Sequence, residues 1–179
     1  MYNRLGDSVF FIEEVMKTPV QILKEKKINK DFLWSEFVKS EDGIPTLEQL
    51  QNIKKVADVL SIYKHKVFKG NPITITSGLR SMSHHLRVYK ELGITDPKKI
   101  PMGSYHLKGL AVDFTVKGFT NKQVYEAMDY VHFGGVEFPD NQNRIHIDLR
   151  GSICRFVGTT GRIVAHHYNT EMHNKVFHK

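Results

Sequence analysis

Cysteine is nearly missing from this chain of 179 residues, which has only Cys154. A single cysteine cannot form an intramolecular disulfide, and it excludes a zinc site built from several thiolates. Any metal site must therefore use histidine and carboxylate side chains. Long apolar runs are missing as well. No stretch approaches 18 consecutive apolar residues, so we expect no integral membrane segment.

The first residues lack a basic region followed by a long apolar run, which is the pattern of a secretory signal peptide. We therefore expect synthesis in the cytoplasm, and action outside it only if another protein releases the chain. The formal net charge of +7 favours anionic partners such as nucleic acid, a membrane surface or cell wall. No recognised nucleic-acid-binding module accompanies this charge, so we expect no nucleic acid partner.

The chain has enough apolar material for one core, since 40% of its residues are hydrophobic. We expect a basic N-terminal segment over residues 1–30, a main domain over 31–150 and a C-terminal extension of that domain over 151–179. Periodicity and capping signals predict helices over 7–17, 47–63, 82–92 and 120–131, and strands over 73–76, 109–113, 133–138 and 144–150. This pattern predicts an α+β fold with a small, mainly antiparallel sheet and helices packed on one side.

The stretch from Ser104 to Asp113 carries the clearest chemical signal. Residues 109–112 are small or apolar and lead into Asp113, and a carboxylate beside an apolar run is costly unless it is paired or bound to a metal. His106 precedes this strand in a turn, and His146 lies on a later strand. Zinc is commonly bound by histidine and carboxylate, so His106, Asp113 and His146 can supply the three ligands of a catalytic site.

These motifs resemble those of a known family. Ser104-x-His106-x-x-Gly109-x-Ala111-x-Asp113, followed by Gly134-Gly135 and His146-x-Asp148, is similar to the zinc D-alanyl-D-alanine carboxypeptidases and the L,D- and D,D-endopeptidases of peptidoglycan. The hedgehog signalling domain shares their fold. The stretch 77–81 is similar to the family's upstream arginine turn, although tyrosine is more usual there than Leu79. The resemblance covers residues 32–150.

The resemblance implies that one Zn²⁺ ion is bound by His106, Asp113 and His146. It implies that Ser104 forms a hydrogen bond that helps to orient a ligand. It also implies a catalytic role for Arg80, which would hold the carboxylate or the polarised carbonyl of the substrate.

The general base is where this sequence departs from the family. Several members carry glutamate three residues before the last zinc histidine, but that position is Asn143 here, and an amide cannot accept a proton. Asp148 is the favoured replacement, because period two places it on the same face of the strand as His146. Glu137 is the alternative if the hairpin register turns it inward. Asp148 would then only orient a ligand.

The function implied by the resemblance is hydrolysis of peptide bonds in peptidoglycan stem peptides or cross-links. We expect a monomer that acts as a cell-wall lysis enzyme, such as a phage endolysin, of the carboxypeptidase or endopeptidase type. The substitution at Asn143 keeps an alternative open, in which the chain is a non-catalytic zinc-binding domain of the same fold that binds cell wall or another protein. The histidines of the tail are expected to form a solvated basic surface rather than a second metal site.

Overall fold

The computed structural model describes residues 17–138, 143–157 and 162–178. The helix predicted over 7–17 and most of the predicted hairpin loop over 139–143 therefore lie outside the described residues. In the described part of the chain the α-helices are α1 (Pro19–Lys24), α2 (Trp34–Phe37), α3 (Leu47–Lys66), α4 (Met82–Glu91), α5 (Asn121–Val131) and α6 (Thr170–Phe177). Short 3₁₀ helices cover Ser40–Asp42 and Pro97–Lys99. None of these helices is long and apolar enough to cross a membrane.

Helices α3 and α5, which both contact the sheet, begin at capping boxes. The Thr46 hydroxyl accepts a hydrogen bond from the backbone N–H of Gln49 at 3.1 Å, and the Gln49 side chain accepts one from Thr46 at 2.9 Å. Thr120 and Gln123 repeat this arrangement at the start of α5. These reciprocal bonds satisfy backbone donors that have no partner inside the helix. Both starts agree with the sequence prediction, whereas α3 ends three residues later than predicted.

The strands are β1 (Ile73–Ser77), β2 (Ala111–Val116), β3 (Gly135–Phe138), β4 (Ile145–Asp148), β5 (Cys154–Val157) and β6 (Arg162–Ile163). They form one sheet in the order β1-β2-β4-β3-β5-β6. Every neighbouring pair is antiparallel except β3 and β5, which are parallel. The chain thus has the α+β fold and the mainly antiparallel sheet that the sequence predicts.

The sheet has one apolar and one polar face, because side chains alternate along each strand. Val112 and Phe114 of β2 lie beside Ile145 and Ile147 of β4 on the apolar face, and all four are fully buried. Helices α3 and α5 pack against this face and complete the hydrophobic core. The opposite face of the same strands carries the polar side chains that the sequence singles out.

One prediction about β2 was wrong. The sequence predicts a strand over 109–113 that ends at the carboxylate, but β2 begins at Ala111 and continues to Val116. Asp113 is therefore in the middle of the strand. Its neighbours in the chain, Val112 and Phe114, are both buried on the other face of the sheet. The strand extends because it pairs with β1 on one side and with β4 on the other, and such long-range pairing is invisible to local periodicity.

Candidate metal centre

Three side chains that the sequence names as ligands converge on the polar face of the sheet. His106 Nε2 lies 3.2 Å from Asp113 Oδ1 and 3.1 Å from His146 Nδ1, and the two atoms of Asp113 and His146 are 2.9 Å apart. All three residues are buried. Among the described residues, this is the only group of three or more histidine, cysteine or acidic side chains with ligand atoms close enough to share one ion.

Strand register explains how two of these side chains meet. Asp113 of β2 pairs directly with His146 of β4, and directly opposed residues of antiparallel strands present their side chains on the same face. His106 comes from the turn before β2, where its backbone carbonyl accepts a hydrogen bond from Gly109 at 3.2 Å. Gly109 has a φ of +70°, and a Cβ there would come within 2.8 Å of the Gln49 carbonyl oxygen. The turn can therefore pack against α3 only with glycine at this position.

Each of the three side chains is held by a hydrogen bond on the side away from the shared centre. His106 Nδ1 donates to the Gly78 carbonyl at 2.6 Å, which leaves the lone pair on Nε2. The second oxygen of Asp113 accepts from Arg80 Nη2 at 2.7 Å. His146 Nε2 faces Asp148 Oδ2 at 3.4 Å, which directs Nδ1 to the centre. Such outer hydrogen bonds are typical of metal ligands, because they fix the tautomer and the orientation of each ring.

The distances within the group fit a small tetrahedral metal ion. Zinc bound at about 2.0–2.2 Å in a tetrahedral arrangement keeps neighbouring nitrogen and oxygen ligand atoms about 3.3–3.6 Å apart. The three separations of 2.9–3.2 Å are somewhat shorter, so the side chains would move apart slightly to take the ion. Two imidazoles and one carboxylate form a donor set that zinc accepts with a fourth position open. The residues present therefore fit one zinc ion.

Burial and mutual contact shift the pKa values in this group. Burial lowers the pKa of His106 to about 4, so its imidazole is neutral near pH 7. Burial alone would also lower the pKa of His146, but hydrogen bonds to Asp113 and Asp148 outweigh it and raise the pKa to about 9. Burial would raise the pKa of Asp113, yet its contacts with the His106 and His146 rings hold it well below its usual range. A metal ion that binds at His146 therefore displaces a proton.

The carboxylate of Asp148 is saturated with hydrogen bonds. Oδ1 accepts from the Gly135 N–H at 3.2 Å and from the backbone N–H and Nε of Arg150 at 3.1 and 2.7 Å. Oδ2 accepts from Arg150 Nη2 at 2.5 Å and lies 3.4 Å from His146 Nε2. Burial opposes the charge on Asp148, but the hydrogen bonds from Arg150 and His146 hold its pKa below the usual range. An anion held in this way is a weak proton acceptor.

Glu137, the alternative base, points to the same face as the three clustered side chains. It lies two residues after Gly135, which pairs with Asp148, so the register turns it inward. Arg144 Nη1 lies 3.5 Å from Glu137 Oε2 and 2.9 Å from Asp113 Oδ1, so the two carboxylates flank one guanidinium nitrogen. Glu137 is buried, with 7% of its surface exposed. Glu137 could serve as the base only if the strand register turned it inward, and the register does so.

Arg80 and Ser104 take different positions around the centre. Arg80 is buried and donates to Asp113 and, through Nε, to Ser77 Oγ at 2.9 Å. It therefore orients a clustered carboxylate in addition to any contact with a substrate. The hydrogen bonds recorded for Ser104 run through its backbone, from its N–H to the Pro101 carbonyl and from Leu107 to its own carbonyl. These bonds shape the turn that carries His106.

Sequence reasoning missed two buried supports of the site. Arg155 of β5 is 1% exposed and donates to Asp129, to the Gly134 carbonyl at 2.8 Å and to the His132 carbonyl at 3.0 Å. It thereby joins the end of α5 to the start of β3. His132 in turn contacts the Asp148 carbonyl through Nε2 at 2.9 Å. No sequence signal pointed to Arg155, because the Asp129 carboxylate and the backbone carbonyls that it binds lie more than 20 residues away in the chain.

Two tail histidines in the described residues bind other groups. His167 Nδ1 lies 2.8 Å from Asp129 Oδ2, and His173 Nδ1 donates to the Val131 carbonyl at 2.8 Å. Both contacts fasten the tail to α5.

Comparison with known proteins identifies one family. The sequence model of Peptidase M15 matches residues 30–148, about two thirds of the chain. The matched range contains all three clustered side chains together with Arg80, Glu137 and Asp148. No curated protein matches the chain.

Proposed function

This chain belongs to the peptidase M15 family, and on that premise we propose that it is a zinc-dependent peptidase that hydrolyses peptide bonds in peptidoglycan stem peptides or cross-links. The observation that carries the proposal is the cluster of His106, Asp113 and His146. Their facing atoms are 2.9–3.2 Å apart, and each side chain is hydrogen-bonded on its far side. Structural zinc sites use four protein ligands, whereas three ligands with an open position are typical of a catalytic site.

Zinc bound by these residues would lower the pKa of a water molecule towards about 7 and polarise the carbonyl under attack. The protein would supply the proton acceptor and the positive charge around it. The contacts favour Glu137 as the general base, since it lies on the same face of the sheet as the cluster and Asp148 is held at both oxygens by Arg150. Glu137 would take the proton of the attacking water and return it to the leaving amine. Asp148 would keep the His146 ring in place.

The charges around the centre suit an anionic substrate. Arg80 and Arg144 both lie against Asp113, at 2.7 and 2.9 Å, on the side of the cluster that also carries Glu137. Stem peptides carry free carboxylates, and a guanidinium group binds a carboxylate through two parallel hydrogen bonds. The net charge of +7 would also draw the protein to an anionic envelope. We therefore propose a cell-wall lysis enzyme, released to its substrate from the cytoplasm.

Digestion of purified peptidoglycan tests this function. The zinc-loaded protein should release new amino groups, lose this activity with a chelator and regain it when zinc is returned. Mass spectrometry of the products identifies the bond: free D-alanine indicates a carboxypeptidase, whereas loss of cross-linked fragments indicates an endopeptidase. An Asp113→Ala variant is the control for contaminating hydrolases, because it removes one proposed ligand. Zinc binding without any release of termini would favour the non-catalytic domain instead.

A further inference from the structure

Arg150 lies just beyond β4 and forms an ion pair with both oxygens of Asp148, near the candidate centre. Its Nε and Nη2 atoms reach Asp148 Oδ1 and Oδ2 at 2.7 and 2.5 Å, and its backbone N–H donates to Oδ1 at 3.1 Å. Asp148 is 1% exposed, so its charge has little access to solvent. A buried carboxylate needs such a partner, because desolvation without one costs several kcal/mol. Arg150 therefore maintains the anion that faces His146.

Two aromatic rings enclose the same guanidinium group. The Arg150 Cζ atom lies 5.2 Å from the ring centre of Tyr105 and 5.0 Å from that of Phe156. Tyr105 immediately precedes His106 in the chain. Phe156 comes from β5, and its ring meets the His146 ring edge to face at 5.8 Å. The Arg150 guanidinium group thus contacts the turn that carries His106, through Tyr105. It also contacts Asp148 and Phe156, which both contact the His146 ring.

The glycine pair of the sequence motif makes room for this arrangement. A Cβ atom on Gly135 would lie 2.4 Å from Asp148 Oδ2 and 2.6 Å from Arg150 Nε. A Cβ on Gly134 would lie 2.2 Å from the Asp148 carbonyl oxygen. Heavy atoms do not approach this closely, so any larger residue would push the ion pair away from β3. The two glycines therefore leave the space that the ion pair of Asp148 and Arg150 occupies.

We infer that Arg150 is a positioning residue of the metal centre, which holds Asp148 against His146 and, through Tyr105, joins the turn of His106 to strand β4. The inference rests on the proposed function, because it concerns ligands for the same ion. Arginine is required by this geometry. Its planar fork meets both carboxylate oxygens while its Cζ atom lies within 5.2 Å of two ring centres, whereas lysine offers a compact point charge on a flexible stem.

Zinc affinity measured by competition with a chromophoric chelator tests this role. Loss of an outer hydrogen-bonding partner typically weakens metal binding by about 10–100-fold, and we expect Arg150→Ala to fall in this range. Arg150→Lys should remain several-fold weaker than wild type. Guanidinium ion, added far below the concentrations that unfold proteins, should restore part of the affinity of Arg150→Ala. Lys108→Ala is the matched control, because Lys108 Nζ also lies 5.2 Å from the Tyr105 ring but is not among the partners of the Asp148 carboxylate. The zinc affinity of this variant should stay within about twofold of wild type.

The tautomer of His146 provides a second measurement. Nitrogen-15 NMR of the imidazole should show a proton on Nε2 in zinc-loaded wild type, and this signal should weaken or exchange faster in Arg150→Ala. Wild-type affinity in Arg150→Ala would overturn the inference, as would a weakened affinity that guanidinium ion does not restore while the NMR signal stays unchanged. These results differ from a failure of the proposed function, in which the wild-type protein itself would bind no zinc or release no product.

Discussion

Exchanging each candidate base for its amide separates the roles of Glu137 and Asp148. Glu137→Gln and Asp148→Asn keep the size of the side chain and remove the charge. Glu137 faces Arg144 at 3.5 Å, and it takes no part in the hydrogen bonds that Gly78, Arg80 and Asp148 form with the three proposed ligands. Asp148→Asn changes the partner of His146 and of Arg150 directly. The two variants should therefore fail in different ways.

The expected magnitudes follow from these contacts. A general base contributes about 10²–10⁴-fold to the rate, so Glu137→Gln should lower kcat by that factor while zinc affinity changes little. Asp148→Asn should weaken zinc binding by about 10–100-fold, the usual effect of removing an outer partner of a ligand. Its kcat should recover largely when zinc is supplied in excess, because Glu137 is still present.

Two assays are needed on the same preparations. Zinc affinity is measured by chelator competition, and turnover is measured on a soluble stem peptide at saturating zinc, with the metal content of each sample determined. A matched Glu126→Gln variant serves as control, since Glu126 is an exposed residue of α5 that forms only a long ion pair with Lys122, at 3.9 Å. The reasoning is refuted if Asp148→Asn stays inactive with zinc bound while Glu137→Gln retains its turnover. That result would make Asp148 the base, as the sequence first suggested.

Three further predictions concern packing at the site and the stability of the fold. Gly135→Ala should weaken zinc binding and lower Tm, because the added Cβ would lie 2.4 Å from Asp148 Oδ2. Gly151→Ala is the control and should bind zinc like wild type, because no atom lies within 4 Å of its added Cβ. Thr46→Ala removes the cap of α3 and should lower the free energy of unfolding by about 1 kcal/mol. Chemical denaturation measures this loss, and the zinc affinity should stay unchanged. A loss near zero would contradict the capping argument. Burial would raise the pKa of Asp31, but hydrogen bonds from its neighbours outweigh it and lower the pKa to about 2. Asp31 should therefore stabilise the fold above pH 3.8 and lose this contribution as the pH falls towards 2. An Asp31→Asn variant should show a smaller change in the free energy of unfolding over that interval. A pH profile identical to that of wild type would contradict the proposed effect of these hydrogen bonds.

Much of the fold can be predicted from local patterns in the sequence. The capping box at Thr46 and Gln49 identifies the start of α3, because the partners are three residues apart and need no distant contact. The alternation of Ile145 and Ile147 with His146 identifies the two faces of β4 in the same way. The family motif then indicates which histidines and which carboxylate belong together, and the structure brings these side chains within 3.2 Å of one another.

Sequence by itself determined which side chains have the chemistry to bind zinc and which local element carries each of them. Only the tertiary structure decided how the remaining groups are used. Asp148 and Glu137 have the same carboxylate chemistry. Arg150 saturates Asp148 with hydrogen bonds, however, whereas strand pairing places Glu137 on the face of the cluster without that partner. Proton affinity depends on burial and on hydrogen bonds from distant residues, and these arise when β3, β4 and β5 come together.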